Sequence, residues 1–223
     1  MFYRSQNSRP HNWLIHHYCT KSISEKRHYL RGRLLDIGCG QKPYQEILSD
    51  SAESYIGLDY TNTLHGFEQV DVMGQGLQLP FPAESFDSVV CFQVLEHVPT
   101  PQQLMNEIFR VLKSDGHAFI ATPFMWGEHE QPHDYFRYTR YGLAHLAQTA
   151  GFEIVSITPD TGYWSTAVLR LNYSLARLFR GPLRYALAPL QAVGWLLDQI
   201  DRSYTVDTAT FSTLLRKSAA MDK

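Results

Sequence analysis

The chain predicts an α/β fold: a Rossmann-like, seven-stranded, mostly parallel sheet with an antiparallel last strand, helices on both faces, and a helical insertion before that strand. Three observations predict it. Short β-rich runs alternate with helical segments from residue 33 to residue 158, the rhythm that βαβ crossovers impose on a parallel sheet. The run 86–92, Phe-Asp-Ser-Val-Val-Cys-Phe, is β-rich without alternation, as a strand covered on both faces should be. Beyond residue 158 the rhythm stops, and an apolar helical stretch precedes one more β-rich run at 209–216.

The elements follow in order. Residues 11–31 set Trp13, Leu14, Tyr18 and Tyr29 among polar neighbours and read as one or two entry helices. A strand at 33–37 ends at Gly38-Cys39-Gly40. Pro43 then suits the first turn of a helix running to about Leu48, because its fixed φ is helical and its missing N–H is not needed there. A second strand, 54–58, ends at Asp59; a weaker third falls near 68–71, and 86–92 is the fourth. Thr100 is placed as N-cap of a helix with Pro101 at its first position, and Leu104, Met105, Ile108, Val111 and Leu112 share one face. Asp115-Gly116 turns into a fifth strand at 117–121. A helix at 140–150 sits between Thr139 as N-cap and Gly151 as stop, and the sixth strand takes 152–158. If the last strand is antiparallel to the sixth, both ends of the insertion lie at the carboxyl edge of the parallel strands. Open α/β sheets bind ligands at that edge, so the insertion is expected to overhang the site.

Composition narrows the function. The 223 residues carry a formal net charge of −2, which provides no general field for nucleic acid. Cys19, Cys39 and Cys91 lack CxxC or finger spacing, which argues against a disulfide framework or structural zinc and for a reducing compartment. The opening MFYRSQNSRPHNW has no apolar signal core. The run 185–197, interrupted by Pro189 and Gln191, falls short of the roughly 20 apolar residues a bilayer span needs. A cytoplasmic location is expected, with membrane association through the insertion left open.

The strongest chemical signal is Leu34-Leu35-Asp36-Ile37-Gly38-Cys39-Gly40 followed by Asp59. Glycines at a strand end let a ligand approach the backbone that side chains would otherwise cover. A carboxylate at the end of the next strand can accept both ribose hydroxyls of an adenosine. A nicotinamide dinucleotide would call for a third glycine where Pro43 stands. Asp36 can instead help hold a methionine ammonium group.

With these residues, the chain resembles the class I S-adenosylmethionine-dependent methyltransferases, in particular the group with a UbiE/COQ5-like core (methyltransferase type 11 domain). The matching stretches are LLDIGCGQKPY (34–44), YIGLDY (55–60), DVMGQGLQLPFPAESFDSVV (71–90), FQVLEHV (92–98), IFRVLKSDGHAFIATP (108–123) and HDYFRYTRYGL (133–143). The resemblance implies S-adenosylmethionine as cofactor. It places Gly38 and Gly40 along the methionine portion, Asp59 at the ribose, Asp71 at the adenine amino group with Val72 beside the ring, and Gln93 facing the cofactor. Asp36, Cys39 and Tyr60 complete the expected cofactor set. One departure is Gln41-Lys42-Pro43-Tyr44, where many relatives have Gly or Thr after the second glycine.

The organisation expected is a single methyltransferase domain spanning 1–223. Residues 1–32 form an N-terminal helical cap, 33–160 the cofactor-binding core, 161–205 a helical insertion or lid, and 206–223 the last strand and tail. Methyl transfer from an activated sulfonium needs mainly positioning, and a base only if the acceptor must lose a proton. His97, beyond the fourth strand, and His133, beside Asp134, are the candidates for that base; each has a structural role in its loop as the alternative. Tyr135, Arg137 and Tyr138 either line the acceptor pocket or pack their loop. Glu128, His129, Glu130, His133 and Asp134 could suggest a metal, but Pro132 makes a helix that would align His129 with His133 doubtful. No metal is expected.

From residue 163 to 197 there is no acidic residue, and Arg170, Arg177 and Arg184 recur every seventh position, with Arg180 nearby, until Gly181-Pro182. A basic face beside an apolar one suits an anionic membrane surface, and a cap or dimer interface suits it equally. The expected activity is methyl transfer to an O, N or C acceptor on a small molecule or on a glycan or lipid intermediate. The alternatives are a non-catalytic S-adenosylmethionine-binding protein and a peripheral-membrane methyltransferase of lipid-linked substrates. Nucleic acid is not expected as a partner. Peripheral membrane contact through 164–202 and a homodimer stay open.

Overall fold

The structure is a computed structural model that describes residues 13–60, 66, 68–176, 178, 185–201 and 206–219. Its seven strands are β1 (Gly32–Ile37), β2 (Ala52–Asp59), β3 (Val72–Met73), β4 (Phe86–Phe92), β5 (Leu112–Pro123), β6 (Glu153–Pro159) and β7 (Thr210–Arg216). They form one sheet in the order β3-β2-β1-β4-β5-β7-β6. β1 pairs in parallel with β2 and β4, and β4 with β5, whereas β7 is antiparallel to both β5 and β6. The predicted mostly parallel sheet with an antiparallel last strand is therefore the architecture present.

The helices are α1 (Trp13–Lys26), α2 (Gln45–Ser49), α3 (Pro101–Val111), α4 (Arg140–Ala150), α5 (Tyr163–Ala176) and α6 (Ala188–Ile200). Alternation along the strands divides the core into two layers. Leu35 and Ile37 of β1, Val89 and Cys91 of β4, and Phe211 and Leu215 of β7 pack with Leu104, Met105, Ile108 and Val111 of α3 and Leu143 and Ala147 of α4. On the opposite face, Leu34, Val90, Phe119 and Leu214 pack with Ile23 of α1 and Leu48 of α2.

Three local expectations need correction. The third strand is β3 at Val72–Met73, not 68–71, because its ladder to β2 begins only at the Leu58–Val72 pair. Thr100 precedes α3, but its side chain makes no capping bond; its carbonyl accepts the Gln103 amide instead. β5 begins at Leu112, with Asp115 at φ +63° inside it and a register shift against β4 between Phe86 and Ser88. The expected turn is thus an irregularity within a longer strand. α4 matches in full: Thr139 Oγ1 accepts the Gly142 amide at 3.1 Å, and Gly151 closes the helix at φ +96°.

The insertion is a pair of helices. α5 and α6 approach closely at Gly194, where a Cβ would lie 2.9 Å from the Val168 side chain. Asp198 of α6 accepts the Gly162, Trp164 and Ser165 amides at 2.9–3.1 Å, satisfying donors that a helix start leaves without intrahelical partners. Of the arginine pattern only Arg170 is described; Arg177, Arg180, Gly181, Pro182 and Arg184 lie outside the described residues. Among the described residues no helix is long and apolar enough to cross a membrane.

Candidate active site

The chain passes from β1 outward through β2 and β3, then returns to the other side of β1 with β4. The carboxyl ends of β1 and β4 therefore border the switch point, where α/β sheets leave a crevice. At the end of β1, the Gly38 and Cys39 amides both donate to the Leu58 carbonyl, at 2.8 and 3.1 Å. Gly38 takes φ +72°, and a Cβ on it would stand 2.2 Å from Val94 Cγ2. The turn requires glycine on both counts.

Asp59 closes this turn. One carboxylate oxygen accepts the Gly40 amide at 2.7 Å and the other its neighbour Tyr60's amide at 2.6 Å. Each oxygen has a further lone pair, so the carboxylate can also take hydroxyls of a ribose. Asp36 is buried and accepts the Tyr55 hydroxyl. Burial pushes its carboxyl up to about 7 against the Tyr55 hydrogen bond, the Asp59 charge adding to the rise and Lys42 opposing it. Gln93 follows β4 at φ +54°, with its amide bonded to the Ala121 carbonyl at 2.9 Å.

A cavity of about 900 Å³ opens here, and Asp36, Gly38, Cys39, Asp59, Tyr60 and Gln93 all line it. The other expected cofactor residues are placed differently. Gly40, Asp71 and Val72 are not in the cavity wall. Gly40 acts through its bond to Asp59. Asp71 Oδ2 accepts Lys42 Nζ at 2.6 Å and the Gly57 amide at 2.7 Å, while the Asp71 side chain stays 44% exposed. Gln75 stands in the wall instead, between Gly74 and Gly76. The signal for it was Gly74-Gln75-Gly76, a polar residue between glycines just past a strand.

The far end of the cavity is built by the loop between β5 and α4. His97, Glu130, His133 and Tyr135 line it, so both expected bases and one of three expected acceptor residues reach the space. Arg137 does not line it. Its guanidinium clamps Asp134 at 2.6 and 2.7 Å and the carbonyls of Trp126, Gly127 and Phe136. That clamp, chiefly by hydrogen bonding, holds the Asp134 carboxyl down to about 2. Tyr138 is buried, its hydroxyl donating to the Leu95 carbonyl at 2.9 Å, and so packs the loop. Asp134 does not orient His133 either, because Arg137 and the His129 amide already occupy it. The His133 ring meets the Tyr135 hydroxyl at 3.1 Å.

Behind His97 lies Glu96, fully buried, with neither carboxylate oxygen in a hydrogen bond of ordinary geometry. Burial pushes its carboxyl up to about 8. His97 and His129 stack edge to face, with ring centres 4.8 Å apart. The third wall is α1, whose Cys19 and Ile23 face the cavity. No described residue of 163–201 lines it. The insertion bears on the site through its neighbours: Leu169 packs with Leu14 and Tyr18 of α1, and Tyr173 packs against Trp126 of the acceptor loop.

The fold and this crevice define a Rossmann-like domain with a cavity at the carboxyl edge of its parallel strands. The donor set fits S-adenosylmethionine: a glycine backbone, a ribose-competent carboxylate at Asp59, a second carboxylate at Asp36 and the neutral amide of Gln75. Comparison with known proteins agrees. Residues 35–120 match the methyltransferase domain family. A protein of Mycolicibacterium smegmatis named "Probable S-adenosylmethionine-dependent methyltransferase" is 35% identical over 141 residues, covering 57% of this chain and 54% of that protein. A "Ubiquinone biosynthesis O-methyltransferase" of Pseudomonas fluorescens is 26% identical over 45% of this chain and 48% of its own. The chain thus spans about half the length of these curated relatives. Among solved structures, the 4+2 cyclase SpnF superposes with a TM-score of 0.61 at 23% identity, over 90% of this chain and 80% of that one, a likeness of fold. The expected resemblance to class I methyltransferases holds, and S-adenosylmethionine is the cofactor of that class.

Proposed function

We propose that the chain is an S-adenosylmethionine-dependent methyltransferase acting on a hydroxyl of a small molecule or of a glycan or lipid intermediate. One observation carries this reading: a single cavity joins Asp36, Asp59 and Gln93 at one end to His133 and Tyr135 at the other. A cofactor held at the first end and an acceptor at the second would share one space. The cofactor supplies a methyl group already activated on a sulfonium.

This chain's residues supply the rest. Asp59 grips the ribose while its bonds to Gly40 and Tyr60 keep the glycine turn closed. Asp36 faces the ammonium end, and Gln75 offers its amide to the purine. Tyr135 and the cavity face of 130–133 seat the acceptor, and the His133 ring takes the hydroxyl proton. The relative named an O-methyltransferase supports a hydroxyl acceptor. The SpnF likeness shows only that this fold hosts more than one chemistry, which is why methyl transfer itself has to be tested.

Calorimetry with S-adenosylmethionine tests the first half. Asp59→Ala is expected to weaken binding by at least about 100-fold, as two lost hydrogen bonds to a charged group at about 1.5–3 kcal/mol each would do, with the fold retained. Wild-type affinity in that variant would overturn the cofactor assignment. Single-turnover methyl transfer to a panel of phenolic, glycan and lipid-linked hydroxyl compounds tests the second half. No transfer to any of them, with cofactor bound, favours the binding-only reading.

A further inference from the structure

Glu96, His97 and His129 form a cluster that methyl transfer, as read above, leaves without a task. One ligand-capable atom of each lies within 4.8 Å of the others. Glu96 Oε1 stands 3.8 Å from His97 Nε2 and 3.8 Å from His129 Nε2. We infer that these three side chains bind a divalent cation of the zinc or ferrous class, with Glu130 as a fourth ligand on the cavity side.

Four features support a built site. First, Glu96 is fully buried and both its oxygens lack an ordinary hydrogen-bond partner, a costly state for a lone carboxyl and the natural state of a metal ligand. Second, both imidazoles are oriented from behind. His97 Nδ1 lies 2.6 Å from the His133 carbonyl, which fixes Nδ1 as donor and leaves the Nε2 lone pair directed at Glu96. His129 Nδ1 lies 3.3 Å from the Gly127 carbonyl and 3.5 Å from Asp134. Metal-binding histidines are held by such partners on their other nitrogen. Third, His97 Nε2 is itself buried without a hydrogen-bond partner. Fourth, Glu130 Oε2 is 3.8 Å from that same nitrogen and borders the cavity.

The spacing suits an ion. Bonds of about 2.0–2.2 Å in a tetrahedron set ligand atoms roughly 3.4 Å apart, so the 3.8 Å pairs need to close by about half an ångström. Two imidazoles with one or two carboxylates suit zinc, ferrous or manganous ions rather than magnesium, which prefers oxygen and water. The site adjoins the acceptor end. On the proposed function, the ion would therefore bind beside the acceptor hydroxyl and ease loss of its proton.

The test uses the full chain, stripped with a chelator and titrated with zinc chloride by calorimetry, with cobaltous ion as a spectroscopic probe. One equivalent of zinc is expected, and visible cobalt bands of a nitrogen-ligated site. Glu96→Gln and His129→Ala should each weaken zinc by at least about 100-fold, more than loss of an orienting partner alone. His133→Ala should leave zinc binding intact, because only its carbonyl supports His97. Circular dichroism melts confirm that the variants fold, and if Glu96→Gln does not, His129→Ala decides. Absence of zinc binding at millimolar concentration, or binding unchanged in His129→Ala, overturns the inference. S-adenosylmethionine is titrated separately. Its failure to bind to a chain that holds one zinc would sink the methyl-transfer reading and leave the cation site standing.

Discussion

The two ends of the cavity are built differently. At the cofactor end, polar groups are paired within short reach of the sheet: Asp59 with Gly40 and Tyr60, Asp36 with Tyr55, Asp71 with Lys42 and Gly57. At the other end, a loop without regular structure is held by Arg137, by Tyr138 and by two amides on the Glu96 carbonyl, and the Glu96 carboxylate and His97 Nε2 are left without hydrogen bonds. The first arrangement is finished before any ligand arrives. The second leaves buried polar atoms unpartnered, so that, on the proposed function, the cofactor would meet a preformed end and the acceptor one held by a loop.

Three substitutions can break or sharpen that contrast. The largest effect is expected from Gly38→Ala. A left-handed alanine whose Cβ meets Val94 at 2.2 Å should cost about 1–3 kcal/mol of stability, read by urea unfolding, and depress cofactor affinity with it. An unchanged midpoint would show that the crevice is not preformed. Arg137→Ala comes next. It strips the buried Asp134 carboxylate of its cation and should cost about 1–3 kcal/mol, seen as faster hydrogen exchange confined to 126–138. Exchange spreading to β1 and β2 would mean the two ends are not independent.

Asp36→Asn gives the clearest signature across pH. The folded carboxyl titrates near 7 and the unfolded one near 4, so between these values the folded chain holds a proton the unfolded chain has lost. Its contribution to stability is full below about pH 4 and falls as pH rises towards 7, by at most about 1.4 kcal/mol per unit. The variant lacks this loss, so its stability relative to the wild type should climb over that window. A difference flat from pH 4 to 7 would remove the perturbed carboxyl from the account.

The same contrast governs what the sequence reveals. β1, its glycine turn and Asp59 are contiguous or a fixed interval apart, and local pattern alone locates them. α4 with Thr139 and Gly151 was legible for the same reason. β3 was misplaced because two residues are too few to show a period. The bond between Asp71 and Lys42 was not legible, because Lys42 reaches it from a loop position at φ +50° and no spacing rule announces that contact. The cluster of Glu96 and His97 with His129 joins two loops separated by α3 and β5. The glutamate that the structure sets between His97 and His129 lies more than 30 residues from His129 in sequence, so no local spacing pairs them. Cys19 and Ile23 reach the cavity through docking of α1, which only tertiary packing decides.

β7 lies between β5 and β6, bonded to both. During synthesis the ribosome delivers β6 and the whole α5–α6 pair before the strand that joins them to the rest of the sheet. Until residues 210–216 emerge, β5 has an open edge and β6 has no hydrogen-bonding neighbour, the condition in which nascent chains pair wrongly or recruit chaperones. Closure of this sheet therefore waits on the last of its strands, and a ribosome stalled a few codons short of that strand would hold a chain with its glycine turn already made and its sheet still divided.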